Sequence, residues 1–447
     1  MKTYKLTLKT IPLCRFGHSF ASGCLMIACL LIAGVTLPAL TTSAAPPQEP
    51  VVARVEMKLT DGEKVTDVIE KGDLLTVIEE REDDYVILTH DGSRGAVDKV
   101  NAVRLAESTD IYSDLIERNP DEGRFLTLRA SAWWALGKTE KAVEDFDQAI
   151  KLGYEEPHAF SSRGLFHASI GNFDNAIADY NKALELDPES IAPLINRAAV
   201  YMAQGEVEKA IGDYTAALKQ KPGNASLLRQ RAIALKADGK LDRAIEDFNA
   251  ILNGNEKDID AISGRGYIYF QQGNHKAAVK DFSQVIALNP ESAVAFNNRG
   301  YNQFQLGNAA DALADYDKAI ELAPQYGLAL QNRAWLLATA KQDSLRDPAK
   351  AIESAKAACE LSDYSNLGDL SALAAAFAAD GKFEEAIGWQ EKVVENAPEA
   401  FQEFAKKILQ RYQDKQPFTA NPDDADLASE NEPTQDDVAT AKAKSAP

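Results

Sequence analysis

The chain has 447 residues, a formal net charge of -20, 45% hydrophobic and 26% charged residues, and four cysteines. That length allows more than one structural unit with a large combined core, and the ordinary apolar fraction argues against wholesale disorder. The acidic surplus repels phosphate backbones and anionic membranes, so nucleic acid is not an expected partner.

In chain order, Lys2, Lys5, Lys9 and Arg15 precede the apolar run GCLMIACLLIAGV and the small-residue exit TTSAAPP. The run is about 13 residues, short of the roughly 20 a membrane span needs. Residues 1–44 therefore read as a secretory signal cut near Ala44, which sends the protein to the periplasm, cell envelope or medium. A lipid anchor at Cys29 fits less well, because the apolar run continues past it. Removing the leader takes away four positive and no negative charges, so the net charge falls from -20 to -24. It also removes Cys14, Cys24 and Cys29. Cys359 is left without a disulfide partner, and packing must hold the fold.

Residues 51–106 alternate short runs such as KVTDVI, LLTVIEER and YVILTH with the turn signals DGEK, KGD and HDGS. These predict a small β-barrel. The stretch KGDLLTVIEEREDDYVILTHDGSRGAV resembles the bacterial type of Src-homology-3-like domain. Where such domains usually carry a tryptophan near the last glycine, this chain has Gly95-Ala96-Val97, and Tyr85 is the segment's one aromatic. Proline-rich-peptide capture needs stacked aromatics and is not expected here.

Beyond it the sequence repeats. Gly137, Gly171, Gly205, Gly239, Gly273 and Gly307 follow one another at 34 residues, each trailed five residues later by Ala142, Ala176, Ala210, Ala244, Ala278 and Ala312. Pro188, Pro222, Pro290 and Pro324 punctuate the units. Each unit reads as two helices joined at the glycine, with small residues where they cross and proline where the second stops. The period and these motifs resemble the tetratricopeptide repeat. The resemblance implies a mainly α fold, a right-handed α-solenoid of about eight helix-turn-helix units behind the barrel. The units span 123–156, 157–190, 191–224, 225–258, 259–292, 293–326, 327–366 and 367–400, the seventh with about five extra residues in its turn. A cap helix is expected at 107–122, a second at 399–415 with Phe401, Phe404, Ile408 and Tyr412 on one face, and a disordered acidic tail at 417–447.

Two charged series run through the array. Arg129, Arg163, Arg197, Arg231, Arg265, Arg299 and Arg333 share one phase, and Asp145, Asp179, Asp213, Asp247, Asp281 and Asp315 share another. Seven copies of an arginine indicate architecture, and paired hydrogen bonds to the aspartates would explain both series. Two pairings fit: within a unit (Arg299 with Asp315) or across a junction (Asp281 with Arg299). Ser354 and Leu373 replace the two residue types on either side of the last junction, which favours the second.

Residues that vary at fixed phase are candidates for specificity. Asn297, Tyr301 and Phe304 lie on one helix face, as do Ser263, Tyr267 and Phe270 one unit earlier and Gln331 and Trp335 one later. The resemblance implies that this face lines a concave groove. With Arg229 and Lys236 upstream, these ten residues form a candidate partner-binding surface whose rings either take up a peptide or pack against neighbouring helices. Arg229 and Lys236 alone do not reproduce a carboxylate clamp.

No catalytic constellation appears. His90, His158, His167 and His275 are scattered without metal-ligand spacing, the two glycines of GRGYIYFQQG belong to the repeat, and Cys359 reads as a packed thiol. The expectation is a non-enzymatic exported scaffold without cofactor or metal that binds a protein or peptide. The alternative is an envelope-attachment module whose barrel holds wall peptide or glycan.

Overall fold

The computed structural model describes residues 49–61, 64–89 and 92–419. The expected signal, His90 and the acidic segment from 420 onward lie outside the described residues. Contacts divide the chain into two compact units, residues 1–222 and 223–447.

The first unit opens with β1 (Val51–Ala53), β2 (Met57–Asp61), β3 (Lys64–Ile69), β4 (Leu74–Glu80), β5 (Asp84–Leu88), β6 (Arg94–Asp98) and β7 (Ala102–Arg104). Five of them form an antiparallel sheet in the order β6-β5-β4-β1-β7, and β2 pairs with β3 as a hairpin. An irregularity between Val77 and Glu79 bends β4, as an extra residue in a ladder does. The hairpin lies against β6, where a Cβ added to Gly95 would come within 2.6 Å of Leu59. The strands form a curled sheet. Val51 and Ala53 join Leu59, Leu75 and Ile87 in its core, while Val52 joins Val103, Leu105, Tyr112, Leu128 and Ala132 on the other side. Burial on both faces explains why β1 is apolar without alternation.

That second cluster is the seam to the helices. The first unit continues with α1 (Thr109–Arg118), α2 (Gly123–Ala135), α3 (Thr139–Lys151), α4 (Pro157–Ser169), α5 (Phe173–Leu186), α6 (Ile191–Ala203) and α7 (Val207–Gln220). Tyr112 of α1 is fully buried and donates its hydroxyl to the Gly72 carbonyl at 3.1 Å. Gly72 sits at φ +93, and any side chain on it would collide with Leu115. Only glycine meets both demands. Lys71 pairs with Asp114, and Arg124 with Asp73 at 3.3 Å.

The second unit holds α8 (Ala225–Ala237), α9 (Leu241–Gly254), α10 (Ile259–Gln271), α11 (His275–Leu288), α12 (Ala293–Gln305), α13 (Ala309–Leu322), α14 (Gly327–Thr339), α15 (Pro348–Leu361), α16 (Leu367–Ala379), α17 (Phe383–Asn396) and α18 (Glu399–Gln413). Within every repeat but the seventh a left-handed turn glycine, with φ between 70 and 81 at Gly137, Gly171, Gly205, Gly239, Gly273, Gly307 and Gly381, reverses the chain between the two helices. Ala142, Ala176, Ala210, Ala244, Ala278 and Ala312 are fully buried at the crossings, and Phe146, Tyr180, Tyr214, Phe248, Phe282 and Tyr316 are nearly so. At Gly300 an added Cβ would stand 3.0 Å from the Tyr316 ring and 3.1 Å from the Ala312 carbonyl. Small residues therefore set how closely the helices approach.

The charged series closes within each repeat, which corrects the junction pairing. Arg299 Nε and Nη2 donate to the two carboxylate oxygens of Asp315 at 2.8 and 2.6 Å. The same fork joins Arg129 to Asp145, Arg163 to Asp179, Arg197 to Asp213, Arg231 to Asp247 and Arg265 to Asp281. The arginine does cross the junction, but through Nη1 and to another residue type. Arg163 reaches back to Asp147, Arg265 to Asn249 and Arg299 to the Ser283 hydroxyl, each 16 residues earlier. Carboxylates with side-chain exposures of 2–10% need a full complement of donors, and the bidentate fork supplies it. In the seventh repeat Ser354 stands in the aspartate's place and still takes a bond from Arg333 Nε at 3.0 Å, while Nη1 holds Asp317 at 2.9 Å.

At the carboxyl end α18 buries Ala405, Ile408 and Tyr412 beneath it, and Gln390 donates to the Ala405 carbonyl at 2.9 Å. Lys415 turns the chain at φ 56. Phe418 then lies 5.5 Å from the Trp335 ring and is only 2% exposed, with the Arg411 guanidinium 5.8 Å above it.

Candidate partner-binding groove

The first helices of the fourth to seventh repeats, α8, α10, α12 and α14, carry all ten candidate residues. Their spacing places them on one face of each helix, but their neighbours then divide them. Tyr267 and Phe270 on α10 have ring centroids 5.6 Å apart, and Phe270 meets Tyr301 of α12 edge to face at 5.2 Å. Lys236 of α8 places its ammonium 4.5 Å from the Tyr267 ring, a cation–π contact, and makes no ion pair among the described residues. Gln305 donates to the Tyr301 hydroxyl at 3.0 Å. Lys236, Tyr267, Phe270 and Tyr301 thus form one partly exposed ladder across three helices.

The other members are engaged elsewhere, and the expected five-ring patch shrinks to three rings. Asn297 is 1% exposed, accepts from Asn332 at 2.9 Å and donates to Asn298 at 3.2 Å. A buried amide must be satisfied, and here it ties α12 to α14 instead of facing a partner. Phe304 packs against Ala312, Tyr316 and Leu336. Trp335 lies under Phe418. Arg229 is held by both carboxylate oxygens of Asp258 at 2.9 Å, and Asp258 in turn caps α10 by accepting from the Ala261 amide. Gln331 rests over Gly368, where an added Cβ would stand 2.6 Å from its amide nitrogen.

Ser263 borders a feature that was not anticipated, a cavity of ≈ 310 Å³ opening among α8, α10 and α12. Its floor reaches Phe248 and Phe282, and its rim carries Ile233, Lys236, Tyr267 and Val294. Ile233 and Val294 are 49% and 53% exposed, unusual for aliphatic side chains in a packed array. Gly264 lines the cavity and makes room for the Phe248 ring, which would stand 2.5 Å from an added Cβ. At its phase the other repeats carry Leu128, Ser162, Asn196, Gln230, Asn298 and Asn332, and that break in the series was the available signal.

His158 contacts the Tyr154 hydroxyl and His167, on the same helix, lies 4.0 Å from Asp179, while His275 bonds to Asn302. Burial pushes the Cys359 thiol up to about 12, which keeps it a neutral packed group. Among the described residues no cluster of His, Cys, Asp and Glu is suited to a metal, and no helix is long and apolar enough to cross a membrane. In the curled sheet Tyr85 is 7% exposed, with Lys99 and Arg104 over its ring at 5.3 and 5.4 Å, so it offers no open stacking surface.

Family models described as TPR repeat or tetratricopeptide repeat match residues 96–150 and 195–261, 167–205 and 266–307, and 293–326. No curated protein matches the chain. Among solved structures it is similar to YrrB, described as a TPR protein with an unusual peptide-binding site (26% identity, 42% of this chain and 97% of that one, TM-score 0.38). It is also similar to a tetratricopeptide repeat protein from Parabacteroides merdae (20%, 68% and 98%, TM-score 0.40) and to the C-terminal part of a TPR repeat-containing protein from Cytophaga hutchinsonii (20%, 55% and 98%, TM-score 0.47). With family models matched on both compact units and the 34-residue helix pairs in place, the chain is a tetratricopeptide repeat protein.

Proposed function

We propose that this protein is an exported, non-catalytic scaffold that binds an extended peptide or a protein segment along α8, α10 and α12. Tetratricopeptide repeats make an interaction scaffold of the array; the site and the export are our reading. The observation that carries the site is the continuous ladder from Lys236 through Tyr267 and Phe270 to Tyr301, lying beside the cavity at Gly264. Partly exposed rings supply apolar contact at low conformational cost, and an apolar hole next to them suits an anchoring side chain. Export rests on the charged leader, the apolar run and the small-residue exit of residues 1–44.

Affinity capture from an envelope extract with the full chain, set against Tyr267→Ala with Tyr301→Ala, tests the site. The double substitution is expected to lower recovery of a bound protein by about tenfold or more. Undiminished capture would rule the ladder out. N-terminal sequencing of the protein recovered outside the cytoplasm is expected to begin close to Ala45, and an intact Met1 would contradict the export reading.

A further inference from the structure

We infer that the cavity at Gly264 is filled in cis by the chain's own acidic C-terminal segment, with Leu427 as the inserted side chain. This rests on the same groove being a docking surface, but it concerns an occupant already present in the molecule.

Three observations converge. The first is where the segment starts. Phe418 is seated on Trp335 of α14, on the face that carries the ladder, and Arg411 fixes the approach by donating to the Pro417 carbonyl at 3.4 Å. The last described residues therefore end beside the groove. The second is reach. Leu427 follows Phe418 by nine residues, a span of about 30 Å when extended. The cavity lies between α8, α10 and α12, so α10 stands two helix spacings from α14, about 20 Å at 8–10 Å each.

The third is chemistry. From Ala420 to Pro447 the large apolar residues are Leu427 and Val438, set among Asp423, Asp424, Asp426, Glu430, Glu432, Asp436 and Asp437. The cavity presents the complement: apolar walls of Ile233, Val294 and Phe282, with the Lys236 ammonium at the rim. An aliphatic side chain preceded by three aspartates places carboxylates where Lys236 can meet them, in a protein whose overall charge is otherwise repulsive to acid. Val438 has acidic neighbours too. Its linker from Phe418 is more than twice as long, so its effective concentration at the cavity is lower, and its shorter side chain fills less of it. The segment thus acts as a tethered competitor that an incoming partner must displace.

The test uses the full chain with a photoactivatable benzophenone at position 427, and separately at 438, with cross-links mapped by mass spectrometry. Position 427 is expected to label Ile233, Val294 or Tyr267 within the same molecule. Lys236→Glu and Ile233→Asp, both at the exposed rim, are each expected to cut that yield by roughly fivefold or more. Labelling elsewhere, labelling of the cavity from 438 in preference to 427, or cross-links between differently isotope-labelled copies would each overturn the assignment. No partner is needed for this readout. A failed capture experiment therefore leaves it standing, and a failed cross-link leaves the ladder reading standing.

Discussion

The two ends of the repeat array are closed by different means. At the amino end a folded sheet meets α1 and α2 through a buried cluster, with the Tyr112 hydroxyl on Gly72 and two ion pairs, Lys71 with Asp114 and Arg124 with Asp73. At the carboxyl end one amphipathic helix lies over α16 and α17, and a short return of chain places Phe418 on Trp335. The amino-terminal closure is a domain interface that leaves its own repeat intact, down to the Arg129–Asp145 fork. The carboxyl-terminal closure has replaced both members of that fork, with Leu373 and Trp389 at the two phases, and extends onto the ladder face. One end terminates the array and the other both terminates it and occupies part of its surface.

The contrast can be broken most forcefully at Tyr112. Truncation to Ala removes a fully buried ring and its bond to Gly72, at a cost of about 4 kcal/mol. Hydrogen exchange should then show loss of protection in the sheet, α1 and α2, with α16 to α18 unchanged; an equal loss at both ends would mean the closures are not independent. Next comes Asp145→Ala, which strands Arg129 and is expected to cost about 3 kcal/mol in denaturant unfolding. The last repeat has no such fork, so no substitution of Leu373 or Trp389 should show a charge-dependent loss.

Phe418→Ala is expected to cost about 2 kcal/mol and to shift Trp335 emission to longer wavelength as the ring becomes wetted. An unshifted emission would show that Phe418 does not cover Trp335.

The smallest effect separates the ends by pH. Burial, opposed by a hydrogen bond from Ser362, pushes Asp369 in the last repeat from 3.8 up to about 6. The folded state holds that proton more tightly than the unfolded one, so the stability it contributes is complete below about 4 and is lost as pH rises toward 6. The hydrogen bond from Lys71 lowers Asp114 at the other end, and its contribution is present at neutral pH and lost as pH falls below 3.8. Asp369→Asn should therefore raise stability by about 1 kcal/mol at pH 7.5 and by much less at pH 4, as read from thermal unfolding. Equal shifts at both pH values would refute the assignment.

The sequence reveals the repeat because its signals are local: a turn glycine, the alanine five residues later and a closing proline all act within one helix pair. The fork was visible as two series but assigned to the wrong partner. Ser354 and Leu373 suggested a junction, whereas the arginine and the aspartate are lost together inside the eighth unit, to Leu373 and Trp389, which is the pattern a pair within one repeat leaves. The groove face followed from i, i+4, i+7 spacing, yet spacing says only where a residue points. Asn297 was taken by Asn332, and Trp335 by a phenylalanine 83 residues further along, and such distant claims leave no local trace. The close seat of the Phe248 ring beside the cavity was written as an absence, a glycine where other repeats have a side chain.

The arginine has its carboxylate 16 residues ahead and its second acceptor 16 residues behind, in repeat after repeat. A gene encoding such an array can drop or duplicate one 34-residue unit and every remaining guanidinium still finds both acceptors at the same separations. An excision of 30 or 38 residues would leave a cation without its partner and be removed by selection. The wiring leaves repeat number free to change and constrains repeat length: in the seventh unit, whose turn carries extra residues at 340–347, Arg333 meets the lone hydroxyl of Ser354, 21 residues ahead, in place of the aspartate, while its bond back to Asp317 at 16 residues is kept.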